Sequence, residues 1–381
     1  MDLDKFADEW GPEKIIEVYD PKIALKGILV IDNTALGLGK GGIRITPIVT
    51  VEEVFRLART MTWKCALAEL PFGGAKSGIV ADSENMTKER KKILIQTFSK
   101  ALKTISPRWY VAGPDVNTGE EEMKWYAEAN GSLRSCTGKP EFMCVKPGEK
   151  CGIPHEYGST GFGVAQSTLV ATQQIGLVIS DVAIAMEGFG NVGTFTAQHL
   201  SELGAKIVAV SDSKGVTHNP DGLDAKKLLT TKQRTGSVIN YRPGKVLPNE
   251  ELFGLAADVL IPAALSDSIT KETVDKIKVK IVVEAANIPM PPKIEDALYK
   301  RGDLVVLDFV ANAGGVISSY AEYKGSNPKQ MFRLIERKIK KNTKMVLERA
   351  DEEGVKPRDA ALKIAQERVK EAMAERERFK R

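Results

Sequence analysis

The segment Glu187-Gly188-Phe189-Gly190-Asn191-Val192-Gly193 is the clearest indication of the fold, because its glycines follow the spacing G-x-G-x-x-G. An apolar run at 182–186 predicts a strand before it, and 193–203 predicts a helix after it. In this context the first glycine permits a tight turn, the second lets the backbone approach a pyrophosphate, and the third lets helix and strand pack closely. The free N–H groups at the helix start favour phosphate. We therefore predict a dinucleotide site that uses Gly188, Phe189, Gly190, Asn191, Val192 and Gly193.

The next predicted strand, 206–210, leads to Asp212, which lies 24 residues after Gly188. This is close to the usual position of the acid that accepts a hydrogen bond from a ribose hydroxyl. Asp212 favours an unphosphorylated ribose by charge, whereas Ser213 and Lys214 could hold a 2′-phosphate. Both NAD and NADP therefore stay open as cofactors.

The chain length of 381 residues suggests two domains. Short apolar strands alternate with helices after residue 159, which indicates a parallel sheet covered on both faces. The aperiodic stretch 137–159 reads as a long surface segment and a domain boundary. We predict an α/β protein with a substrate-binding and oligomerisation domain at 1–158, against which a C-terminal helix at about 345–381 packs. A Rossmann-type, doubly wound dinucleotide-binding domain spans 159–344, with a cleft between the two.

Composition narrows the function classes. The 55 basic and 50 acidic residues are interleaved, so the net charge of +5 does not call for nucleic acid. No apolar run is long enough to span a membrane, and the acidic start does not read as a secretory signal, so a cytoplasmic location is expected. The four cysteines are too few and too irregularly spaced for a disulfide scaffold, and without a C-x-x-C pair no metal site is expected.

Lysines beside glycines mark the chemistry of the first half: Lys40 in 37–44, Lys64, and Lys76 in 70–78. The glycines suggest loops in which the backbone can approach a small substrate. A buried lysine needs an anion, and a second cation nearby lowers its pKa toward the range useful for proton transfer. Asp115 would be a second proton carrier. The alternative is a set of exposed lysines in glycine turns.

These segments resemble the glutamate/leucine/phenylalanine/valine dehydrogenase family, and within it the glutamate branch. The matching motifs are Lys-Gly-Gly-Ile-Arg at 40–44, Pro-Phe-Gly-Gly-Ala-Lys at 71–76, Pro-Asp-Val-Asn-Thr at 114–118, Pro-Ala-Ala-Leu at 262–265, Glu-Ala-Ala-Asn at 284–287 and Ala-Asn-Ala-Gly-Gly-Val-Ile-Ser-Ser at 311–319. The resemblance implies oxidative deamination of an amino acid by an NAD(P)-dependent enzyme that is a homo-oligomer, with a hexamer favoured.

The resemblance also implies roles for single residues. Lys64 would hold the substrate α-carboxylate, with Asn312 nearby. Lys76 would activate water and polarise the reacting carbonyl, and Asp115 would carry protons to and from the amino group. The remaining implied contacts are Gly41 on the substrate, and Thr160, Ala263 and Asn287 on the cofactor.

Lys40 and Ser319 fill the two positions that set side-chain choice in this family. A lysine and a hydroxyl suit a γ-carboxylate, which favours L-glutamate and 2-oxoglutarate. Two departures keep a branched-chain or other amino-acid substrate open. The segment 140–157 lacks the Gly-Gly-Ser and arginine usual in the glutamate branch, and Asp-Asn-Thr-Ala-Leu-Gly at 32–37 resembles the leucine branch. A catalytically silent nucleotide sensor on the same fold is a further alternative.

Overall fold

The computed structural model describes residues 5–83 and 85–378, and the chain divides into two compact units. The first comprises 1–157, 316–331 and 363–381, and the second comprises 158–315 and 332–362. The last helices of the chain contribute residues to both units.

The first unit begins with strands and helices in mixed order: β1 (Lys14–Asp20), β2 (Leu25–Asn33), β3 (Leu38–Thr46), α1 (Val51–Leu67), β4 (Phe72–Val80), α2 (Lys88–Ala101), β5 (Tyr110–Pro114), α3 (Glu120–Asn130), β6 (Cys144–Lys146) and β7 (Glu149–Cys151). Its five-stranded sheet has the order β1-β2-β4-β3-β5. Strand β3 runs parallel to both of its neighbours, so the carboxyl ends of β3, β4 and β5 share one edge.

Local sequence explains the helices that support this sheet. Thr50 and Thr87 accept hydrogen bonds from the backbone N–H groups of Glu53 and Arg90, which caps α1 and α2 as a threonine N-cap should. A core that includes Leu29, Ile43 and Phe98 is fully buried.

The second unit carries a seven-stranded sheet with the order β11-β10-β9-β8-β12-β13-β14. Its elements in chain order are α4 (Ser159–Gln174), β8 (Ala183–Glu187), α5 (Asn191–Glu202), β9 (Lys206–Asp212), β10 (Gly215–His218), α6 (Ala225–Thr235), β11 (Lys245–Leu247), β12 (Val259–Pro262), α7 (Lys271–Val274), β13 (Ile281–Val283), α8 (Pro292–Arg301), β14 (Leu304–Val306) and α9 (Asp308–Ala311). Three long helices close the chain: α10 (Gly314–Lys324), α11 (Pro328–Glu353) and α12 (Pro357–Arg378).

The prediction of a parallel sheet is wrong at one edge. Strands β8, β9, β12, β13 and β14 pair in parallel, but β10 pairs antiparallel with both β9 and β11. The cause is a hairpin directly after Asp212, which returns the chain through the four-residue strand β10. A strand of three or four residues has too little periodicity to be seen in sequence.

The prediction for 137–159 is wrong at its ends. Residues 137–140, 152–154 and 158–159 are buried, and the exposed residues are 141–142, 145–150 in the middle of the segment, and 156. That middle forms the hairpin of β6 and β7, in which Cys144 and Cys151 are paired across the strands and joined by a disulfide. Among the described residues no group of three or more His, Cys, Asp and Glu side chains could hold a metal ion. None of the helices described is long and apolar enough to cross a membrane.

Candidate active site

The three lysines singled out in the sequence are buried in the first unit. Lys40 lies in β3, Lys76 lies in β4, and Lys64 lies in the last turn of α1. Their exposed fractions are 2%, 6% and 8%. The expectation that they occupy loops is wrong for Lys40 and Lys76, and the alternative of exposed lysines fails for all three.

The glycines beside these lysines allow tight packing within the strands. A Cβ built on Gly41 would lie 1.7 Å from the carbonyl oxygen of Ala75, and one on Gly74 would lie 2.1 Å from Oγ1 of Thr62. The glycine runs therefore serve strand–strand and strand–helix contact, because side chains there would collide with backbone or helix.

Lys76 and Asp115 form the centre of the site. Nζ of Lys76 lies 2.9 Å from Oδ2 of Asp115, which also accepts a hydrogen bond of 2.9 Å from Nε of Arg44. Arg44 is held in turn by an ion pair with Glu53. The backbone N–H of Asp115 donates to Oγ1 of Thr118 at 2.8 Å, which fixes the loop after β5.

Burial and neighbouring charge act against each other in this pair. Burial raises the pKa of Asp115, but the charges of Lys76 and Arg44 outweigh it and hold the pKa below its ordinary value. Burial lowers the pKa of Lys76, and the charge of Arg44 adds to that effect while Asp115 opposes it. At neutral pH Asp115 is therefore ionised, and Lys76 gives up its proton more readily than an exposed lysine.

The side chain of Lys40 is buried and extends to the neighbouring strand β5. Its Nζ donates to the carbonyl oxygen of Ala112 at 2.6 Å, and Gly113 leaves room for it, since a Cβ there would lie 2.6 Å from Nζ. Burial lowers the pKa of Lys40 to about 8. Gly41 follows it in β3, and Ser319 lies partly buried on α10 in the same unit.

The glycine fingerprint forms the turn between β8 and α5 in the second unit. Gly188 has φ of +90°, and its N–H donates to Oγ of Ser211 at 3.1 Å. A Cβ on Gly193 would lie 2.1 Å from the carbonyl oxygen of Gly188, so close helix–strand packing requires this glycine. Phe189 is buried, and its carbonyl oxygen accepts a hydrogen bond of 2.9 Å from Nζ of Lys232.

Gly190 differs from Gly188 and Gly193, the other two glycines of the fingerprint. Its φ of −76° suits any residue, and a Cβ built on it meets no heavy atom within 4 Å in the described part of the chain, its own neighbours aside. Neither backbone conformation nor packing requires glycine here. The free space lies at the N-terminus of α5, beside Asn191 and Val192, where a pyrophosphate group would fit.

Asp212 ends β9 and is held by its own unit. Its Oδ1 accepts from Oγ of Ser237 at 3.0 Å and from the N–H of Lys214 at 2.9 Å, while Oδ2 accepts from the N–H of Val238 at 2.8 Å. Its neighbour Ser213 is exposed. The carboxylate therefore has a fixed orientation at the carboxyl end of β9.

Two asparagines lie together in the second unit. Nδ2 of Asn312 donates to Oδ1 of Asn287 at 3.0 Å and to the carbonyl oxygen of Ala285 at 3.2 Å. Elsewhere in the unit, the N–H of Ala263 donates to the carbonyl oxygen of Glu187, and Oγ1 of Thr160 lies 2.8 Å from a Cβ built on Gly315.

A buried charge cluster supports the Asn287 loop. Asp308 accepts a hydrogen bond of 3.0 Å from the N–H of Ile288, and Arg358 joins Asp308 to Glu284 and Glu295. All three carboxylates are almost fully buried. No sequence pattern indicated a role for Arg358, Arg44 or Glu53. Arg44 stands inside the quoted motif 40–44, which is the one signal that could have found it.

The fold is that of a two-unit α/β dehydrogenase. The chain belongs to the Glutamate/Leucine/Phenylalanine/Valine dehydrogenase family, whose main domain matches residues 151–377 and whose dimerisation domain matches residues 12–131. It is therefore an amino-acid dehydrogenase, and membership implies a nicotinamide cofactor.

Three relatives show how similar this chain is to known dehydrogenases. A glutamate dehydrogenase of Aeropyrum pernix is 38% identical over 356 residues, which cover 90% of this chain and 84% of that protein. An NADP-specific glutamate dehydrogenase of Saccharolobus shibatae is 38% identical over 85% of this chain and 78% of its own length. Among solved structures, the hetero-hexameric glutamate dehydrogenase of Thermus thermophilus in its leucine-bound form has a TM-score of 0.87 at 29% identity, covering 96% of this chain and 90% of that one.

Proposed function

We propose that this enzyme catalyses the reversible oxidative deamination of L-glutamate to 2-oxoglutarate and ammonia, with hydride transfer to NAD or NADP. The observation that carries the proposal is the buried pair of Lys76 and Asp115, 2.9 Å apart, in the unit that also buries Lys40 and Lys64. With Lys76 paired to Asp115, the buried side chains of Lys40 and Lys64 suit a substrate with two carboxylates, because a carboxylate stabilises a buried ammonium group. The sequence similarity to glutamate dehydrogenases supports the same choice.

The roles of the lysines follow from charge and position. Lys64 binds the α-carboxylate of the substrate, and Lys40 with Ser319 binds the γ-carboxylate, beside Gly41. Asn312 assists at the α-carboxylate. A pocket with a lysine for the side-chain carboxylate rejects an apolar side chain, because its own charge would be left unpaired.

Lys76 and Asp115 move the protons. The carboxylate of Asp115 accepts a proton from the substrate amino group, and the ionised state that Lys76 and Arg44 favour suits that task. The amine of Lys76 takes a proton from the water that attacks the imino carbon, since burial lowers its pKa. Its ammonium form then polarises the oxygen of the new carbonyl group.

The second unit holds the cofactor. A nicotinamide cofactor bound there would supply the acceptor for the hydride of the substrate α-carbon. The pyrophosphate would bind in the space above Gly190, near the N–H groups around Asn191 and Val192. Gly188, Phe189 and Gly193 shape the turn there. Asp212 and Ser213 face the adenosine ribose, and Thr160, Ala263 and Asn287 contact the nicotinamide side. One relative is NADP-specific, whereas the negative charge of Asp212 favours NAD. Both cofactors are therefore included in the test.

We also propose a homo-oligomer, with a hexamer favoured. The match of residues 12–131 to a dimerisation domain supports subunit contacts through the first unit. Light scattering after size-exclusion chromatography measures the molar mass of the assembly. Dividing this mass by the 41.6 kDa of one chain gives the number of subunits.

The test of activity uses the purified protein with ammonia, 2-oxoglutarate, and NADH or NADPH in separate assays. Oxidation of at least one reduced cofactor should require both other reactants and should form glutamate. Absence of ammonia-dependent turnover with either cofactor would overturn the proposal. Lys40→Leu should raise the KM for 2-oxoglutarate while leaving cofactor affinity unchanged.

A further inference from the structure

A buried ion pair lies beside the lysine site without belonging to the proposed chemistry. Lys139 contacts Oε1 of Glu322, and each residue is 4% exposed. Oε2 of Glu322 accepts hydrogen bonds from the N–H groups of Gly138 at 2.7 Å and Ile153 at 2.9 Å. One carboxylate therefore holds both ends of the segment that contains the disulfide hairpin.

This pair is connected to Lys40 through the backbone. Nζ of Lys139 donates to the carbonyl oxygen of Cys136 at 2.6 Å, and Cys136 pairs with Ala112 in a parallel bridge. The carbonyl oxygen of Ala112 accepts both Nζ of Lys40 at 2.6 Å and the N–H of Thr137 at 3.0 Å. The 136–139 segment is thus bonded to the same carbonyl group that accepts a hydrogen bond from the Lys40 ammonium.

The pair also supplies charge near Lys40. Burial has the largest effect on the pKa of Lys40 and lowers it. The other groups that affect this pKa are Cys136, Glu322 of α10, Cys65 of α1, and Lys139. Burial raises the pKa of Cys65 to about 12 and of Cys136 to about 11, so both are neutral thiols near pH 8. Glu322 favours the charged form of Lys40, and Lys139 opposes it.

We propose that Glu322 and Lys139 are positioning residues that set the place and the charge of Lys40, and through it the recognition of the substrate side-chain carboxylate. Neither residue contacts substrate in this scheme. The inference rests on the proposed function, in which Lys40 binds that carboxylate.

The test measures the KM for 2-oxoglutarate across about pH 7 to 9.5, a range that spans the titration of a buried lysine. Glu322→Gln keeps the hydrogen-bond acceptor but removes the negative charge, so the rise in KM should move to lower pH, with KM at pH 8 about tenfold higher. Lys139→Met removes the positive charge, so the rise should move to higher pH. Lys139→Arg keeps the charge and should restore the wild-type profile, with kcat changed less than about twofold in all three.

Shifts in opposite directions are the signature of the proposal, because a merely structural defect would raise KM by one factor at every pH. Equal shifts, or profiles that coincide with wild type, would overturn it. If a single variant does not fold, the double variant Glu322→Gln, Lys139→Gln removes both charges together. Because the two opposing charges are removed together, it should keep the wild-type pH midpoint of KM, and a displaced midpoint would overturn the proposal.

A readout without turnover separates this inference from the proposed function. The ¹³C shift of Lys40 Cε in lysine-labelled protein, assigned with Lys40→Met, should titrate near pH 8 in wild type and move in opposite directions in the two variants. If those shifts occur while 2-oxoglutarate is not a substrate, the proposed function fails and the control of Lys40 stands. If 2-oxoglutarate is a substrate but Lys40 titrates identically in all variants, the inference fails alone.

Discussion

Oδ2 of Asp115 lies 2.9 Å from Nζ of Lys76 and 2.9 Å from Nε of Arg44, so one carboxylate oxygen is shared by two cations. The arrangement keeps Asp115 ionised despite its burial. It also means that Arg44 and Glu53, for which no sequence pattern indicated a role, hold the proposed proton carrier in place.

Asp115→Asn should abolish proton transfer while preserving the shape of the site. We expect kcat to fall by about 10² to 10⁴, the usual contribution of a positioned acid or base, with KM changed only a few-fold. Steady-state kinetics in both directions measures this. Asp221→Asn at an exposed position is the matched control and should be neutral. Retention of more than about a tenth of kcat in Asp115→Asn would remove Asp115 from the mechanism.

The KM for 2-oxoglutarate should depend on pH through Lys40. The pKa of Lys40 is lowered to about 8, so the side chain is charged below this pH and neutral above it. The KM should therefore be flat below about 8 and rise about tenfold per pH unit well above it. A 2-oxo acid without a second carboxylate is the control, and its KM should lack this rise. The same rise for both substrates would place the titrating group elsewhere.

Gly190→Ala should separate cofactor binding from folding. Alanine suits the φ of −76° and meets free space, so thermal unfolding should match wild type. Its methyl group would occupy the path of the pyrophosphate, and we expect the nucleotide Kd to rise about tenfold or more. Gly193→Ala is the contrasting variant, because its Cβ would lie 2.1 Å from a carbonyl oxygen and should lower stability as well. Unchanged nucleotide affinity in Gly190→Ala, by calorimetry, would contradict the cofactor site.

Arg358→Met should destabilise the second unit. It would leave Glu284, Glu295 and Asp308 buried without their shared cation, and breaking such a pairing typically costs about 3–5 kcal/mol. Denaturant unfolding of the variant measures the loss, and Arg234→Met at an exposed position should change little. A loss below about 1 kcal/mol would show that the carboxylates become protonated without structural cost.

Sequence patterns predicted much of the fold because they are local. The strand expected at 182–186 and the helix expected at 193–203 correspond to β8 (Ala183–Glu187) and α5 (Asn191–Glu202), and the glycine fingerprint lies between them as expected. The edge strands β10 and β11 were missed, since a strand of three or four residues shows no period. The remaining features of the fold depend on pairing between strands that are distant in sequence, which local patterns do not encode.

Prediction of the candidate site was limited in the same way, because its contacts also join residues that are distant in sequence. Glycine runs around Lys40 and Lys76 indicated loops, whereas the chain uses them as strands whose missing side chains admit close contacts. The approach of Lys76 to Asp115 depends on the parallel register of β3 with β4 and β5, which no local pattern encodes. Glu322 lies far along the chain from Lys139, so their pairing could not be predicted.

The central claim is that the buried lysines select a dicarboxylic substrate. The most direct test is the ratio of kcat/KM for 2-oxoglutarate to that for 2-oxoisocaproate, measured with ammonia and the preferred cofactor. We predict a ratio above about 10², because an apolar side chain leaves Lys40 buried without a counter-charge. A ratio of one or less would contradict the assignment of glutamate.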